Sequence, residues 1–226
     1  RPRRIFSLLS VKRYFAFGSN LLIQGLVDKI VTNLESLLIG KVYTKSDLGY
    51  FSQGRKLDSY ITQTSTGVIQ RVTYPVLSKL GDDKDKLKDG YRQVIGTAML
   101  LMFPLMLGVI ASADNLIVVV FGPKWIPSIP YLRLWALTGL FLSLYSFFIN
   151  VFLVLGKSRQ LLHLSLIRQV IRLSAIIVFI RISIMALMWS IVAVTFLSSL
   201  MYIYFGGKLI NYTLKEIISD LWQIVF

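Results

Sequence analysis

Residues 131–155 read YLRLWALTGLFLSLYSFFINVFLVL, an apolar run in which Arg133 is the only charged side chain. An α-helix rises 1.5 Å per residue, so about 20 such residues cross the roughly 30 Å hydrocarbon core of a bilayer. The run therefore predicts a transmembrane helix. Five more mainly apolar stretches predict further spans, at residues 14–40, 58–78, 94–120, 161–180 and 182–205. We predict an all-α, polytopic transmembrane bundle of about six spans.

The composition agrees with a membrane chain. Hydrophobic residues make up 55% of the 226 residues and charged residues 16%, whereas soluble domains carry about 25% charge. The 25 Lys and Arg residues against 11 Asp and Glu residues give a net charge of +14. In such an apolar chain we attribute this excess to membrane topology and to contact with anionic membrane lipid, and we expect no nucleic-acid partner.

Three segments are predicted: a cytoplasmic basic segment at 1–13, a six-helix lobe at 14–206, and a tail at 207–226. We expect the tail to be an amphipathic helix or the start of a further span. The side that holds both ends carries twice as many Lys and Arg residues as the other, which predicts cytoplasmic ends. The chain starts Arg1-Pro2-Arg3-Arg4 and stops in an apolar stretch, so we expect a piece of a longer protein.

The first predicted span carries polar residues on one face. Asn20, Gln24, Asp28 and Glu35 lie within about 80° of each other at 100° per residue. Ionisable groups at membrane depth are rare and usually face a bundle interior or a watery cavity. This stripe indicates either a cavity wall that binds cations or sugar hydroxyls, or a buried hydrogen-bonded seam between helices.

The second predicted span has a similar side. Its members are Ser52, Lys56, Ser59, Gln63, Thr66 and Gln70, with Arg71 at the flank. Small hydroxyl side chains often serve as packing contacts between helices. We therefore assign only Gln63, Gln70 and Arg71 to a cavity.

Two arginines lie inside the fifth predicted span. Arg168 and Arg172 are spaced i,i+4, so they share one face. They either extend to the cytoplasmic surface or offer a cationic site to an anionic head group. Both interpretations stay open at the level of sequence.

The sequence has few of the groups that enzymes need. One histidine and no cysteine leave no zinc cluster, and there is no phosphate-binding loop of the G-x-x-x-x-G-K-[ST] type. No Ser-His-Asp set can be assigned to one site. We predict a protein that is not an enzyme and that has no metal or cofactor, apart from coupling to a Na⁺ or H⁺ gradient.

Several segments resemble bacterial polysaccharide flippases, which belong to the multidrug/oligosaccharidyl-lipid/polysaccharide exporter superfamily. Residues 33–41, NLESLLIGK, resemble the family's N-L-D-N-L-L-I-G-R stretch. The other matching segments are LGYFSQG (48–54), RVTYPVLSKL (71–80), FPLMLG (103–108) and FGPKW (121–125). Two positions depart from the family pattern: Glu35 stands where Asp is usual and keeps the charge, and Gln53 stands where Arg is common.

The resemblance implies the second lobe of a two-lobed carrier of about twelve to fourteen helices, with its first lobe as a partner. Such carriers move polyprenyl-pyrophosphate-linked oligosaccharides to the outer leaflet of the inner membrane, for O-antigen, capsule or exopolysaccharide synthesis. The alternatives are a cation-coupled multidrug exporter of the same superfamily and a membrane-embedded glycan-processing enzyme.

Candidate residues follow from the chemistry of such a substrate, because unsatisfied polar groups in hydrocarbon cost several kcal/mol each. Amides that can exchange hydrogen bonds with sugar hydroxyls are Gln24, Asn33, Gln63 and Gln70. Guanidinium groups that can hold a pyrophosphate are those of Arg55, Arg71, Arg168 and Arg172. Asp28 and Glu35 are the candidates for binding a coupling Na⁺ or H⁺ during alternating access.

Overall fold

A computed structural model describes residues 8–79, 84–213, 215–217 and 219–220. These residues form helices and turns without a β-strand, so the all-α prediction is confirmed. The helices are α1 (Leu8–Val42), α2 (Lys45–Lys79), α3 (Lys84–Ala111), α4 (Ala113–Phe121), α5 (Ile129–Val154), α6 (Ser158–Phe179) and α7 (Ile184–Leu209). A 3₁₀ helix at Pro123–Ser128 joins α4 to α5.

Four stretches of the described chain are long and apolar enough to cross a membrane. They are Asp85–Ala111, Pro123–Val154, Ser158–Phe179 and Ile184–Leu209. Six spans were predicted, and α1 and α2 do not meet the same criterion. Each of these two helices has 35 residues, which is ample length. Charged residues interrupt their apolar stretches, among them Asp28, Lys29 and Glu35 in α1 and Arg55, Lys56 and Asp58 in α2. The chain is a polytopic helical bundle in which two long helices carry a polar side.

Local chemistry explains several helix boundaries. α2 begins with a reciprocal cap, in which the Thr44 backbone N–H donates to Asp47 Oδ2 at 3.2 Å and the Asp47 N–H donates to Thr44 Oγ1 at 3.1 Å. α7 begins where Ser183 Oγ accepts from the Ala186 N–H at 3.0 Å. Gly122, with φ 89°, follows α4 in a backbone conformation that favours glycine.

The predicted span at 94–120 is divided in the structure. Pro104 lies inside α3, which continues to Ala111, and the break falls at Ser112 instead. Ser112 Oγ donates to the Gly108 carbonyl at 2.6 Å, so the side chain bonds to the preceding turn of the helix. α3 therefore continues through Pro104, and a serine that bonds to the preceding turn marks its end.

α5 is the central helix and contacts α2, α3, α4, α6 and α7. Its aromatic and aliphatic side chains reach all sides, as expected for a helix that is apolar all round. Two glycines bring α2 and α5 close together. A Cβ on Gly54 would lie 2.8 Å from the Leu132 nitrogen, and a Cβ on Gly139 would lie 2.6 Å from Thr62 Oγ1. Small residues allow such close approach between membrane helices.

The described part of the predicted tail packs against the start of α3. Lys88 Nζ contacts Glu216 Oε1 at 2.8 Å, and Arg92 pairs with Asp220. Tyr212 is buried and its hydroxyl donates to Asp220 Oδ2 at 2.6 Å. The hydrogen bond from Lys88, with those from the Thr213 N–H and hydroxyl, lowers the pKa of Glu216 to about 2. Residues 214, 218 and 221–226 lie outside the described residues.

Candidate functional site

A row of polar contacts joins α1 to α6. The contacts occur in the same order along both helices, so the two helices run parallel. They recur every seven or eight residues along α1 and on to the residue that follows it, a spacing of about two helical turns. The pairs are Asn20 Nδ2 with Ser158 Oγ (3.1 Å), Asp28 Oδ1 with Arg168 Nη2 (2.7 Å), Glu35 with Arg172, and the Tyr43 hydroxyl with the Ile180 carbonyl (2.6 Å). We call this row the α1–α6 seam.

The Asp28 pair of the seam faces open space. Asp28 Oδ1 accepts from Arg168 Nη2 at 2.7 Å and from Gln169 Nε2 at 2.5 Å. Arg168 Nη1 also donates to the Tyr145 hydroxyl at 2.9 Å. The Asp28 side chain is 47% exposed and that of Arg168 only 13%, so the carboxylate is the accessible member of the pair.

The Glu35 pair is closed. Glu35 has no exposed side-chain surface, while Arg172 is 14% exposed. A second guanidinium, that of Arg55 on α2, lies 3.8 Å from Glu35 Oε1. The Arg55 guanidinium carbon also lies 5.0 Å from the ring centroid of Trp135 on α5. Glu35 therefore links three helices to each other through two cations and is shielded from solvent.

A cavity of about 700 Å³ lies beside the seam. This volume is within the range of about 300–1,000 Å³ typical of small-molecule sites. Five helices supply its polar lining, which includes Gln24, Asp28, Lys29 and Thr32 (α1), Ser52, Arg55, Lys56, Asp58, Ser59, Thr62 and Gln63 (α2), Thr138 and Tyr145 (α5), Arg168 and Arg172 (α6), and Thr195 (α7). Several of these residues are exposed, so the cavity is open to its surroundings.

The described lining is rich in cations and in neutral hydrogen-bonding groups. Five lysines and arginines reach the cavity, against the two carboxylates of Asp28 and Asp58. Hydroxyl and amide groups occupy much of the remaining wall. Such a lining suits a ligand that combines anionic oxygens with many hydroxyl groups.

Asp58 is a lining residue that sequence reasoning did not single out. It is 7% exposed, and its Oδ1 accepts from Thr62 Oγ1 at 3.0 Å. In sequence it marked only the start of a predicted span, although its i,i+4 spacing from Thr62 was visible. Asp58 differs from an ordinary surface aspartate because it is buried against Gly139 of α5. The sequence near Asp58 does not show this, since Gly139 lies in a distant part of the chain.

The predicted site residues fall into three groups. Gln24, Gln63, Asp28, Arg55, Arg168 and Arg172 line the cavity together. Glu35 lies behind the wall in the seam. Asn33 and Arg71 do not reach the cavity, and the side chain of Gln70 lies outside the described residues. Roles in binding or ion coupling stay predictions for all of them.

Helix geometry explains why Asn33 and Arg71 lie elsewhere. Asn33 is nine residues from Gln24, which at 100° per residue turns it to the opposite side of α1, where it is exposed. Arg71 is eight residues beyond Gln63, about 12 Å farther along α2, and it is also exposed. Both assignments to a cavity wall therefore differ from the observed geometry.

These contacts bear on two interpretations that the sequence left open. The polar face of α1 is both a cavity wall and a seam, because Asp28 takes part in each and Glu35 only in the seam. Arg168 and Arg172 do not extend to a surface, because both pair with carboxylates of α1 inside the bundle. Within the described residues, no three His, Cys, Asp or Glu side chains are grouped to hold a metal ion.

Comparison with known proteins identifies the class to which this fold and cavity belong. Residues 1–130 match the model of a family described as polysaccharide biosynthesis protein. The chain belongs to that family, and the resemblance to polysaccharide flippases found in its motifs is confirmed. Together with its apolar helices, this makes it a multi-pass membrane protein.

Three relatives give the likeness in more detail. The chain is 27% identical over 139 residues to the teichuronic acid biosynthesis protein TuaB of Bacillus subtilis (strain 168), covering 62% of this chain and 29% of that protein. It is 29% identical over 143 residues to the lipopolysaccharide biosynthesis protein WzxC of Escherichia coli (strain K12), covering 63% and 29%. It is 25% identical over 166 residues to the succinoglycan biosynthesis transport protein ExoT of Rhizobium meliloti (strain 1021), covering 74% and 34%.

The chain thus spans about a third of the length of the curated relatives it matches. No solved structure gives a significant match.

Proposed function

We propose that this chain is one lobe of a flippase that moves a polyprenyl-pyrophosphate-linked oligosaccharide across the bacterial inner membrane by alternating access. The product would serve the synthesis of O-antigen, capsule or exopolysaccharide. The names of the relatives support a role in polysaccharide synthesis or transport. The partners in this proposal are the lipid-linked oligosaccharide, membrane lipid and a first lobe of the same protein.

The observation that carries the proposal is the polar cavity of about 700 Å³ inside a bundle of apolar helices. A glycan can enter hydrocarbon only if its hydroxyl groups exchange water for other hydrogen-bonding partners. The cavity wall supplies such partners from Gln24, Gln63, Ser59 and Thr195, on three different helices. The prenyl chain would stay in lipid, outside this wall.

The basic side chains of the cavity are the groups that would bind the pyrophosphate. Arg55, Arg168 and Arg172 line one cavity although they come from two helices. Guanidinium groups bind phosphate oxygens through charge-assisted hydrogen bonds, which are about twice as strong as neutral ones. A drug exporter with a cationic substrate would be opposed by this surplus of positive charge, so the arginines favour the flippase.

Coupling to a Na⁺ or H⁺ gradient is a further element of the proposal. Asp28 and Glu35 remain its predicted carboxylates, although each is paired with an arginine in the resting arrangement. An ion drives transport only by binding one of two states more tightly. No catalytic role is proposed for any residue, and the protein is proposed to act as a transporter rather than as an enzyme.

The test uses the full-length protein in its own host, after deletion and re-expression. Surface glycan should be restored by the wild-type protein and by Arg133→Gln, whose side chain pairs with Asp114 away from the cavity. It should fall at least tenfold in Arg55→Gln and in Arg168→Gln, at equal amounts of membrane protein. Full restoration by both cavity variants would refute an anionic substrate in this cavity.

A reconstituted assay separates transport from synthesis. Proteoliposomes with a fluorescent prenyl-pyrophosphate-linked saccharide in the inner leaflet should expose it to an external glycan-cleaving enzyme. Lipid carrying the same fluorescent saccharide on a neutral anchor without pyrophosphate should not be moved. Equal movement of both lipids would indicate a non-specific scramblase and contradict the proposal.

A further inference from the structure

Two donors beside Asp28 form a site for a single anionic oxygen. Arg168 Nη2 and Gln169 Nε2 converge on Asp28 Oδ1, at 2.7 and 2.5 Å. Converging N–H groups, one of them on a guanidinium, are the arrangement with which proteins bind phosphate and carboxylate oxygens. In this structure the oxygen between them belongs to the chain itself. We call this pair of donors the Arg168–Gln169 site.

Contacts other than those with Asp28 constrain the two donors. Arg168 Nη1 donates to the Tyr145 hydroxyl at 2.9 Å, and the guanidinium carbon lies 5.6 Å from the centroid of the Tyr145 ring. Gln169 is 2% exposed. Arg168 is thus held by Tyr145 independently of Asp28, and Gln169 is confined by its burial among the helices.

The acceptor is much less constrained. The Asp28 side chain is 47% exposed and lines the cavity. Its two hydrogen bonds within the described structure end on the same oxygen, Oδ1. The cavity can solvate a released carboxylate, so breaking this pair does not strand a charge in hydrocarbon.

We propose that Asp28 occupies the Arg168–Gln169 site only until an anionic oxygen of a phosphate- or diphosphate-bearing ligand replaces it. The inference rests on the proposed function, which supplies such a ligand. The exchange makes and breaks no covalent bond. One carboxylate leaves a guanidinium and an amide, the ligand oxygen takes both hydrogen bonds, and the carboxylate turns into the cavity.

Release of Asp28 would weaken the attachment of α1 to α6. Asp28 is an inner contact of the α1–α6 seam, and its release leaves the Glu35–Arg172 pair as the next contact along the helices. Ligand binding would therefore loosen α1 from α6 near Asp28 and keep the two helices joined near Glu35. Ligand binding and release of the helix would occur together, so the ligand would have different affinities for the joined and the loosened arrangement and would shift the balance between them.

Binding of inorganic pyrophosphate to the purified full-length protein tests the exchange. Asp28→Asn removes the competing charge and should tighten binding about fivefold, since a partly exposed ion pair contributes up to roughly 1 kcal/mol. Arg168→Gln should abolish binding. The matched control is Asp114→Asn, which breaks another pair with an exposed carboxylate and a 2.6 Å contact, and which should leave affinity unchanged.

The outcomes separate the two proposals. If Asp28→Asn binds pyrophosphate no more tightly than the wild type while Arg168→Gln loses binding, the exchange is refuted and the anion site of the proposed function stands. If the wild type binds no pyrophosphate, or Arg168→Gln binds it unchanged, the assignment of the anion to Arg168 fails as well.

A second measurement keeps the test decisive if Asp28→Asn does not fold. The chain has no cysteine, so pairs of spin labels can be attached at introduced cysteines in the wild-type background. Labels at exposed Leu26 of α1 and Ile167 of α6 should move apart by several ångströms on addition of pyrophosphate. Labels at Leu37 and Ile177, near the Glu35 end, should keep their distance. Identical behaviour of both pairs would refute the proposal.

Discussion

Two acidic residues seven positions apart on α1 meet two arginines four positions apart on α6, and the two ion pairs have opposite surroundings. Asp28 presents a 47% exposed carboxylate to a cavity. Glu35 has no exposed side-chain surface and is shared between Arg172 and Arg55. Both pairs join a carboxylate to a guanidinium. Their exposures differ because α2 and α5 cover the Glu35 pair and leave a cavity beside the Asp28 pair.

A buried ion pair and an exposed ion pair contribute differently to the stability of a membrane bundle. A sealed pair that loses one partner leaves an uncompensated ion in a medium of low dielectric constant, which is strongly unfavourable. An open pair that loses one partner leaves an ion that water can solvate, and such pairs contribute little to stability. We therefore expect the loss of Glu35 to destabilise the fold more than the loss of Asp28, whose carboxylate is accessible to a ligand.

The largest expected effect is on stability. Glu35→Gln should lower the free energy of unfolding by roughly 3 kcal/mol, because it leaves the guanidinium of Arg172 without its paired carboxylate inside the bundle. Asp28→Asn should lower it by about 1 kcal/mol or less. Thermal unfolding of the full-length protein in detergent measures both. Equal shifts for the two variants would mean that burial does not distinguish the pairs.

Exchanging the two charges of the open pair separates its contribution to stability from its contribution to export. The double variant Asp28→Arg with Arg168→Asp restores opposite charges across the seam, so its unfolding temperature should return close to that of the wild type. Export of surface glycan should remain at least tenfold reduced, because the guanidinium no longer rests against Tyr145. Recovery of export together with stability would show that only the pairing matters.

A smaller effect is expected from the cavity wall itself. In Gly139→Ala the new Cβ would lie 2.6 Å from Thr62 Oγ1 and 2.8 Å from Asp58 Oδ1. Pushing α2 from α5 in this way should cost about 1–3 kcal/mol of stability without touching either ion pair. Gly67→Ala is the matched control, because no atom of the described residues lies within 4 Å of a Cβ placed at Gly67 of α2. A loss of stability in the control as large as in Gly139→Ala would contradict this explanation.

The smallest effect concerns an ion pair outside the seam, between Lys88 and Glu216. The pKa of Glu216 is lowered from its ordinary value of 4.5 to about 2, first by the hydrogen bond from Lys88. Its contribution to docking of the tail is therefore complete above about pH 4.5 and is lost as the pH falls toward 2.

Limited proteolysis of the tail as a function of pH measures this docking. Cleavage near Glu216 should rise below about pH 4.5 in the wild type. In Glu216→Gln the contribution is absent at every pH, so cleavage should be higher than in the wild type at neutral pH and should change less in acid. The same pH dependence in both proteins would assign the transition to another group.

Much of the fold could be predicted because its signals are local. Runs of apolar residues identified α5, α6 and α7 within a few positions of their observed ends. The division between α3 and α4 was not predicted, since serines are common inside membrane helices and Ser112 carries no distinct sequence signal of a break.

The candidate site was less predictable, because its contacts join residues on different helices. Helical periodicity grouped Gln24, Asp28 and Glu35 on one face of α1, yet it assigned no partner to any of them. Gln169, which donates to Asp28, and Asp58, which is buried against α5, were not singled out. Each becomes notable only through a residue on another helix.

The amino-acid sequence by itself determined that the chain is an all-α membrane protein, where its most apolar helices lie, and which family it resembles. These properties depend on composition, on the rise per residue and on short motifs, all of which are local. Only the tertiary structure decided that Glu35 is sealed and Asp28 is open. Their arginine partners are 137 and 140 positions away along the chain, and the exposure of a charge depends on every helix that packs around it.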